Sequence, residues 1–258
     1  MKVCSLLAGI AICLASSRAV AQQDTVKISS DMINTKVLKN GTHRYLVYFK
    51  LGKDSSRINY QLWSRTIDHL DYQGRKAISV TQEWEDNTKI VHKVYSVCDE
   101  KTFAPLYQKS EWIGRLNSTF NFLTKEGYVN DTLLTSADTA RTKKQAYDGF
   151  QKAMNEYVLN WHLDLEVFPI LPYKQGRTFL VNFYDPGFSS PAFQAYTVSG
   201  SATLTGYDNQ EIECWLLTHT SRNNTETFWI SKKTREVLKL EQVFGGRFRY
   251  KIKLGFSM

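Results

Sequence analysis

One pattern constrains this chain more than any other: apolar and polar residues alternate in run after short run, with turn residues between. The first half carries "RYLVYFKL" (44–51), "RINYQLWS" (57–64), "RKAISVTQEW" (75–84), "KIVHKVYSVC" (89–98), "APLYQKSEW" (104–112) and "STFNFLTK" (118–125). The second half carries "RTFLVNFY" (177–184), "AFQAYTVSGSATL" (192–204), "QEIECWLLTHT" (210–220), "TETFWISK" (225–232), "EVLKLEQVF" (236–244) and "RFRYKIKLGF" (247–256). A period of two is that of a half-buried strand. Gln73-Gly74, Asp86-Asn87, Glu126-Gly127 and Gly245-Gly246 read as turns, the last suiting a two-residue primed hairpin with positive φ at both positions. Short turns at regular spacing predict an antiparallel meander of about a dozen strands.

The middle of the chain breaks the pattern. "NWHLDLEVFPILPY" (160–173) alternates like a strand, but with its upstream neighbours it forms a helical stripe: positions 146, 150, 154, 157, 158, 161, 165 and 168 are apolar. Thr142 and Gln145 have the spacing of a capping box. Pro169 disfavours α geometry at Phe168 and supplies a stop, while Gly149 is a poor helix residue. This spacing predicts a helix over 150–168. One helix cannot cover a flat sheet of a dozen strands, so the sheet must curl around it. The expected fold is mainly β: a large curved antiparallel sheet, an unclosed barrel, wrapped over one amphipathic helix. Phe150, Met154, Trp161, Leu165 and Phe168 are the candidate ligand-binding residues, lining whatever space the helix leaves beneath the sheet.

The N-terminus bears on location. Met1-Lys2 is a short basic segment, "VCSLLAGIAICLA" (3–15) an apolar one, and "AVA" (19–21) puts small residues at the positions a signal peptidase reads. This has the form of a cleavable secretory leader. Ile12 before Cys13 does not suit a lipid-attachment site. The expected organisation is a leader over 1–21, a polar stretch over 22–42 and one β domain over 43–258. Losing 1–21 removes Lys2 and Arg18 and no acid, so the formal charge falls from +8 to +6. These cations are spread along the chain, which fits a solvated surface better than a nucleic-acid face. The leader would spare Cys98 and Cys214; the latter shares the apolar phase of "EIECW", and two buried free thiols are favoured over a bridge.

No residue set carries a catalytic signature. "IDHLDY" (67–72) with His92 offers metal-ligand types, but Asp68 and His69 point to opposite faces of a strand. His162 and Asp164 are not on one helical face and read as surface or rim groups. Gly200-Ser201 lacks the second glycine of a nucleophile elbow. The expectation is a non-enzymatic protein without cofactor or metal. The aromatics stand out instead: Trp63, Trp84, Trp112, Trp161, Trp215 and Trp229, as core filling, a cavity lining or a stacking surface for sugars.

The second half also resembles a family of uncharacterised exported bacterial proteins, a domain of unknown function similar in shape to the LolA/LolB-like lipoprotein carriers. "FYDPG" (183–187), "YTVSGSATL" (196–204), "IECWLL" (212–217) and "FWISKKTREVLKLE" (228–241) carry the resemblance. Similar sequences often carry an acidic residue two after the strand glycine, where this chain has Ala202. The resemblance implies an unclosed barrel over a helix, an apolar cavity taking acyl chains, and no cofactor. Three readings follow: an exported carrier for an apolar ligand or lipidated protein, a carbohydrate-binding or envelope-scaffold module using exposed aromatics, or an outer-membrane barrel. The mid-chain helix and frequent charges count against the last.

Overall fold

A computed structural model describes residues 24–206 and 209–255; the leader-like segment 1–21 lies outside them. The twelve alternating runs become the twelve strands of six or more residues: β2 (Gly41–Lys50), β3 (Ile58–Tyr72), β4 (Arg75–Glu85), β5 (Ile90–Asp99), β6 (Pro105–Trp112), β7 (Leu116–Asn121), β11 (Thr178–Tyr184), β12 (Ala192–Thr205), β13 (Glu211–Ser221), β14 (Asn224–Ser231), β15 (Val237–Phe244) and β16 (Arg247–Lys253). Four short strands complete the described set: β1 (Thr25–Lys27), β8 (Glu126–Val129), β9 (Thr132–Leu133) and β10 (Leu159–Asn160). They form one sheet in the order β1-β11-β12-β13-β14-β15-β16-β2-β3-β4-β5-β6-β7-β8-β9, with β10 also on β11. Neighbouring long strands are antiparallel, and β16 meets β2 so that the two halves of the chain join in mid-sheet. The sheet is curved and unclosed: β1 and β9 are its edges.

Turn chemistry accounts for the register. Gln73-Gly74 and Gly245-Gly246 have positive φ at both residues (51° and 78°, 53° and 76°), the geometry that matches strand twist in a two-residue hairpin. Glu126-Gly127 is not a turn but the start of β8; the chain reverses just before it, with Lys125 at φ 61°. The polar stretch is part of the domain from its first described residue, Asp24: β1 pairs in parallel with β11, and Ile28 and Leu38 are buried.

The mid-chain segment departs from the expected single helix over 150–168. Helix α1 runs over Arg141–Asn155, starting before Thr142, so no capping box forms and Ala140 caps without a side-chain bond. The Asn155 side-chain amide donates to the Gln151 carbonyl in the last turn of the helix. Glu156 is extended, and Leu159–Asn160 then join β11 as β10. Asn160 accepts from His162 N–H and opens a second helical passage: a 3-10 turn over Trp161–Leu163, α2 over Asp164–Val167 and a 3-10 turn over Phe168–Ile170. Pro169 does not stop it: Phe168 is helical, and the passage ends at extended Leu171.

The two helical pieces have separate tasks. Helix α1 packs Ala146, Phe150 and Ala153 against Phe120 of β7 and Tyr184 of β11, bridging the seam between the two ends of the sheet. Gly149 sits where the backbone passes closely; a Cβ there would lie 2.9 Å from the Ser189 carbonyl oxygen. The inner plug is the 161–170 passage. Leu163, Leu165, Val167, Phe168 and Ile170 are buried among side chains from both halves, including Val47, Ile67, Val80, Val181, Val198, Phe228 and Leu240. Cys98 and Cys214 are free and buried.

Candidate functional site

The concave face of β3–β6 presents side chains in cross-strand rows. Trp63 faces Trp84, Trp84 faces His92, and His92 faces Trp112. The Trp63 and Trp84 rings stack at 3.9 Å and 6°, His92 stacks on Trp112 at 3.8 Å and 10°, and Trp84 meets Trp112 edge-on at 5.5 Å. This aromatic ladder is one wall of a pocket of about 180 Å³. The plug supplies Trp161, His162 and Asp164, the loop after β11 supplies Asp185, and the second half of the sheet supplies Tyr196, Glu226, Phe228, Arg249 and Lys251.

Beneath the ladder a buried ion pair ties the plug to the sheet. Arg65, with no solvent exposure, donates to both carboxylate oxygens of Glu166, to Gln82 Oε1 at 2.7 Å and to the His162 carbonyl at 2.8 Å. Burial disfavours the guanidinium charge, but Glu166 and Asp164 outweigh it and raise the Arg65 pKa. Such a pair is costly to break, because one charge is then left buried alone. It fixes the turn holding His162 and Asp164.

The pocket's charges are mostly committed. Lys251 Nζ donates to Asp164 Oδ2 at 2.7 Å and sits 4.7 Å over the Trp63 ring. Burial brings the Lys251 pKa down to about 8, against the pull of Asp164. Burial would raise the Asp164 carboxyl, but Lys251 and Arg65 hold it below the usual range. Glu226 accepts from Tyr196 Oη at 2.9 Å and from Gln242 Nε2 at 3.2 Å. His92, enclosed by the ladder with Ser110 Oγ 2.9 Å from Nε2, is pushed down to about 3 by burial and by His162. Two groups retain free capacity. His162 Nε2 lies 3.2 Å from Asp185 Oδ1 without hydrogen-bond alignment. Arg249 makes no hydrogen bond or ion pair among the described residues, and its Nε is shielded from solvent.

The five residues expected to line one cavity are divided among three places. Phe150 and Met154 belong to the seam cluster around α1. Leu165 and Phe168 belong to the main core, with Phe168 fully buried against Phe183, Tyr196 and Phe228. Trp161 is 38% exposed and of the five is the one in the aromatic pocket. Leu165 borders a second cavity of about 260 Å³ at the far side of the plug, with Leu38, Ile67 and Pro169, and with His43, Arg235 and Glu236 at its polar side. His162 and Asp164, read as surface or rim groups from helical spacing, are largely buried and both face the aromatic pocket. His69 and His92 are far apart: their partners on β4, Ile78 and Trp84, are six residues and so ~20 Å from each other. His69 instead meets Glu100 and the Leu38 carbonyl.

No helix among the described residues is long and apolar enough to cross a membrane. No curated protein matches the chain. A solved structure described as a beta-barrel-like protein of domain of unknown function DUF1849, from Brucella abortus, is similar at 6% identity and TM-score 0.41, covering 84% of this chain and 96% of that one. Residues 44–253 match the model of a family described as "Protein of unknown function (DUF3108)", and the chain belongs to that family.

Proposed function

We propose that this is an exported binding protein that takes a sugar-like ligand in the aromatic pocket without transforming it. The observation that carries the reading is the ladder of Trp63, Trp84 and Trp112 facing Trp161 across a small polar hollow. The C–H face of a sugar ring is flat and apolar and stacks on indole, while its hydroxyls need polar partners at the rim; Asp185 and His162 are placed to supply them. A few polar groups set among aromatic walls is the usual make-up of a small-molecule site. Export rests on the leader-like form of residues 1–21.

Calorimetric titration with a panel of monosaccharides tests this. Saturable binding is expected, weakened at least about tenfold by Trp112→Ala or Trp161→Ala in protein whose circular dichroism is unchanged. Absence of binding across the panel refutes it. A second reading, a carrier for an acyl chain or lipidated protein, draws on the resemblance to the lipoprotein carriers and on the apolar cavity beside Leu165. An acyl chain would need that cavity to extend into the plug, where Leu163, Val167, Phe168 and Ile170 are fully buried and packed. Binding of a fluorescent fatty acid, lost in Leu165→Lys, would favour it instead.

A further inference from the structure

The charges around the pocket differ in what they have left to offer, and this deepens the sugar reading, on which it rests. Lys251 is held by Asp164 and by the Trp63 ring. Both oxygens of Glu226 are occupied, by Tyr196 and Gln242. Arg65 is committed at all three nitrogens, to Glu166, Gln82 and a carbonyl. Arg249 differs. It stands on β16 between Phe49 of β2 and Gln242 of β15, lines the pocket, and has no hydrogen bond, ion pair or ring contact among the described residues, with Nε cut off from water. A shielded donor without an acceptor is costly, and most such groups in folded proteins have a partner. A guanidinium is a planar fork matched to the two oxygens of an oxyanion.

We infer that the ligand is a sugar carrying an oxyanion, a carboxylate or a phosphate, which Arg249 engages while the ring stacks on the tryptophans and its hydroxyls meet Asp185. Asp164, Glu226 and Asp185 outnumber Arg249 and Lys251 by one formal charge, so the pocket's field does not draw an oxyanion in, and discrimination has to come from the short-range fork.

The test is calorimetric titration of the whole protein with glucose, glucuronate, glucuronamide and glucose 6-phosphate. Glucuronate or glucose 6-phosphate should bind at least about tenfold more tightly than glucose, and which of the two does so identifies the oxyanion. If it is glucuronate, glucuronamide, its neutral counterpart, should fall back to the glucose level without any mutation. Arg249→Gln should abolish the preference, weakening the charged sugar at least about tenfold more than it weakens glucose, with Arg249→Lys recovering part of it. Equal affinity for charged and neutral sugars overturns the inference while leaving the sugar reading intact. Failure of every sugar to bind overturns both.

Discussion

His92 should make this protein sensitive to mild acid. Its ring is fully buried, stacked on Trp112 and edge-on to Trp84, and its Nδ1 has no hydrogen-bond partner among the described residues. A second ring proton would therefore be an unsatisfied charged donor among indoles. Burial first, and His162 second, push its pKa down from 6.5 to about 3. The folded state then keeps the neutral ring where the unfolded chain already takes up a proton. Stability from this group is full above pH 6.5 and is lost as pH falls toward 3. For a folded value near 3, lowering the pH from 8 to 5 costs about 2 kcal/mol, approaching ~1.4 kcal/mol per further unit. Urea unfolding at pH 8, 7, 6 and 5 measures this against His92→Gln, which cannot titrate. Wild type should lose about 2 kcal/mol more than the variant over that range; parallel curves would refute the reasoning.

The ion pair that anchors the plug predicts a larger loss. Glu166→Leu leaves Arg65 buried without its partner and should cost about 3–5 kcal/mol in denaturant unfolding at neutral pH. Phe168→Ala should cost a similar ~3–5 kcal/mol, and Trp161→Ala, removing a ring that is 38% exposed, clearly less in the same assay. Gly149→Ala should lower the melting temperature: the helix-propensity gain of ~1 kcal/mol is set against a Cβ only 2.9 Å from the Ser189 carbonyl. A rise in melting temperature would mean that the 189–190 backbone yields easily.

The strands were legible because each runs half-buried in a sheet with one face on the core, which imposes the period of two. The plug was not, because the apolar positions of amphipathic α1 and of the largely buried 161–170 passage happen to continue one helical stripe. The break showed only in small polar signals: Asn155, whose amide serves a carbonyl, and Asn160, which caps the next turn. Part of the site could have been counted out. Trp63 and Trp84 each stand nine residues from the positions flanking the Gln73-Gly74 turn, Tyr72 and Arg75, so a regular hairpin pairs them. The rest could not, since β-bulges beside Trp84 and near Cys98 shift the register that brings in His92 and Trp112. Arg249, Asp164 and Asp185 meet only through the pairing of β16 with β2 and the fold of the plug, contacts far apart in sequence that no local pattern announces.

The central claim is that the aromatic pocket is where ligand binds, and the six tryptophans make it directly observable. Indole N–H signals of ¹⁵N-labelled protein, assigned by single Trp→Phe substitutions, should be followed while the monosaccharide that binds best is titrated in. Trp84, Trp112 and Trp161 should shift along one saturable curve, while Trp215, stacked on Tyr173, and Trp229, under Lys239, stay in place. Shifts confined to Trp215 and Trp229, or no shift in any indole at saturating sugar, would contradict the account.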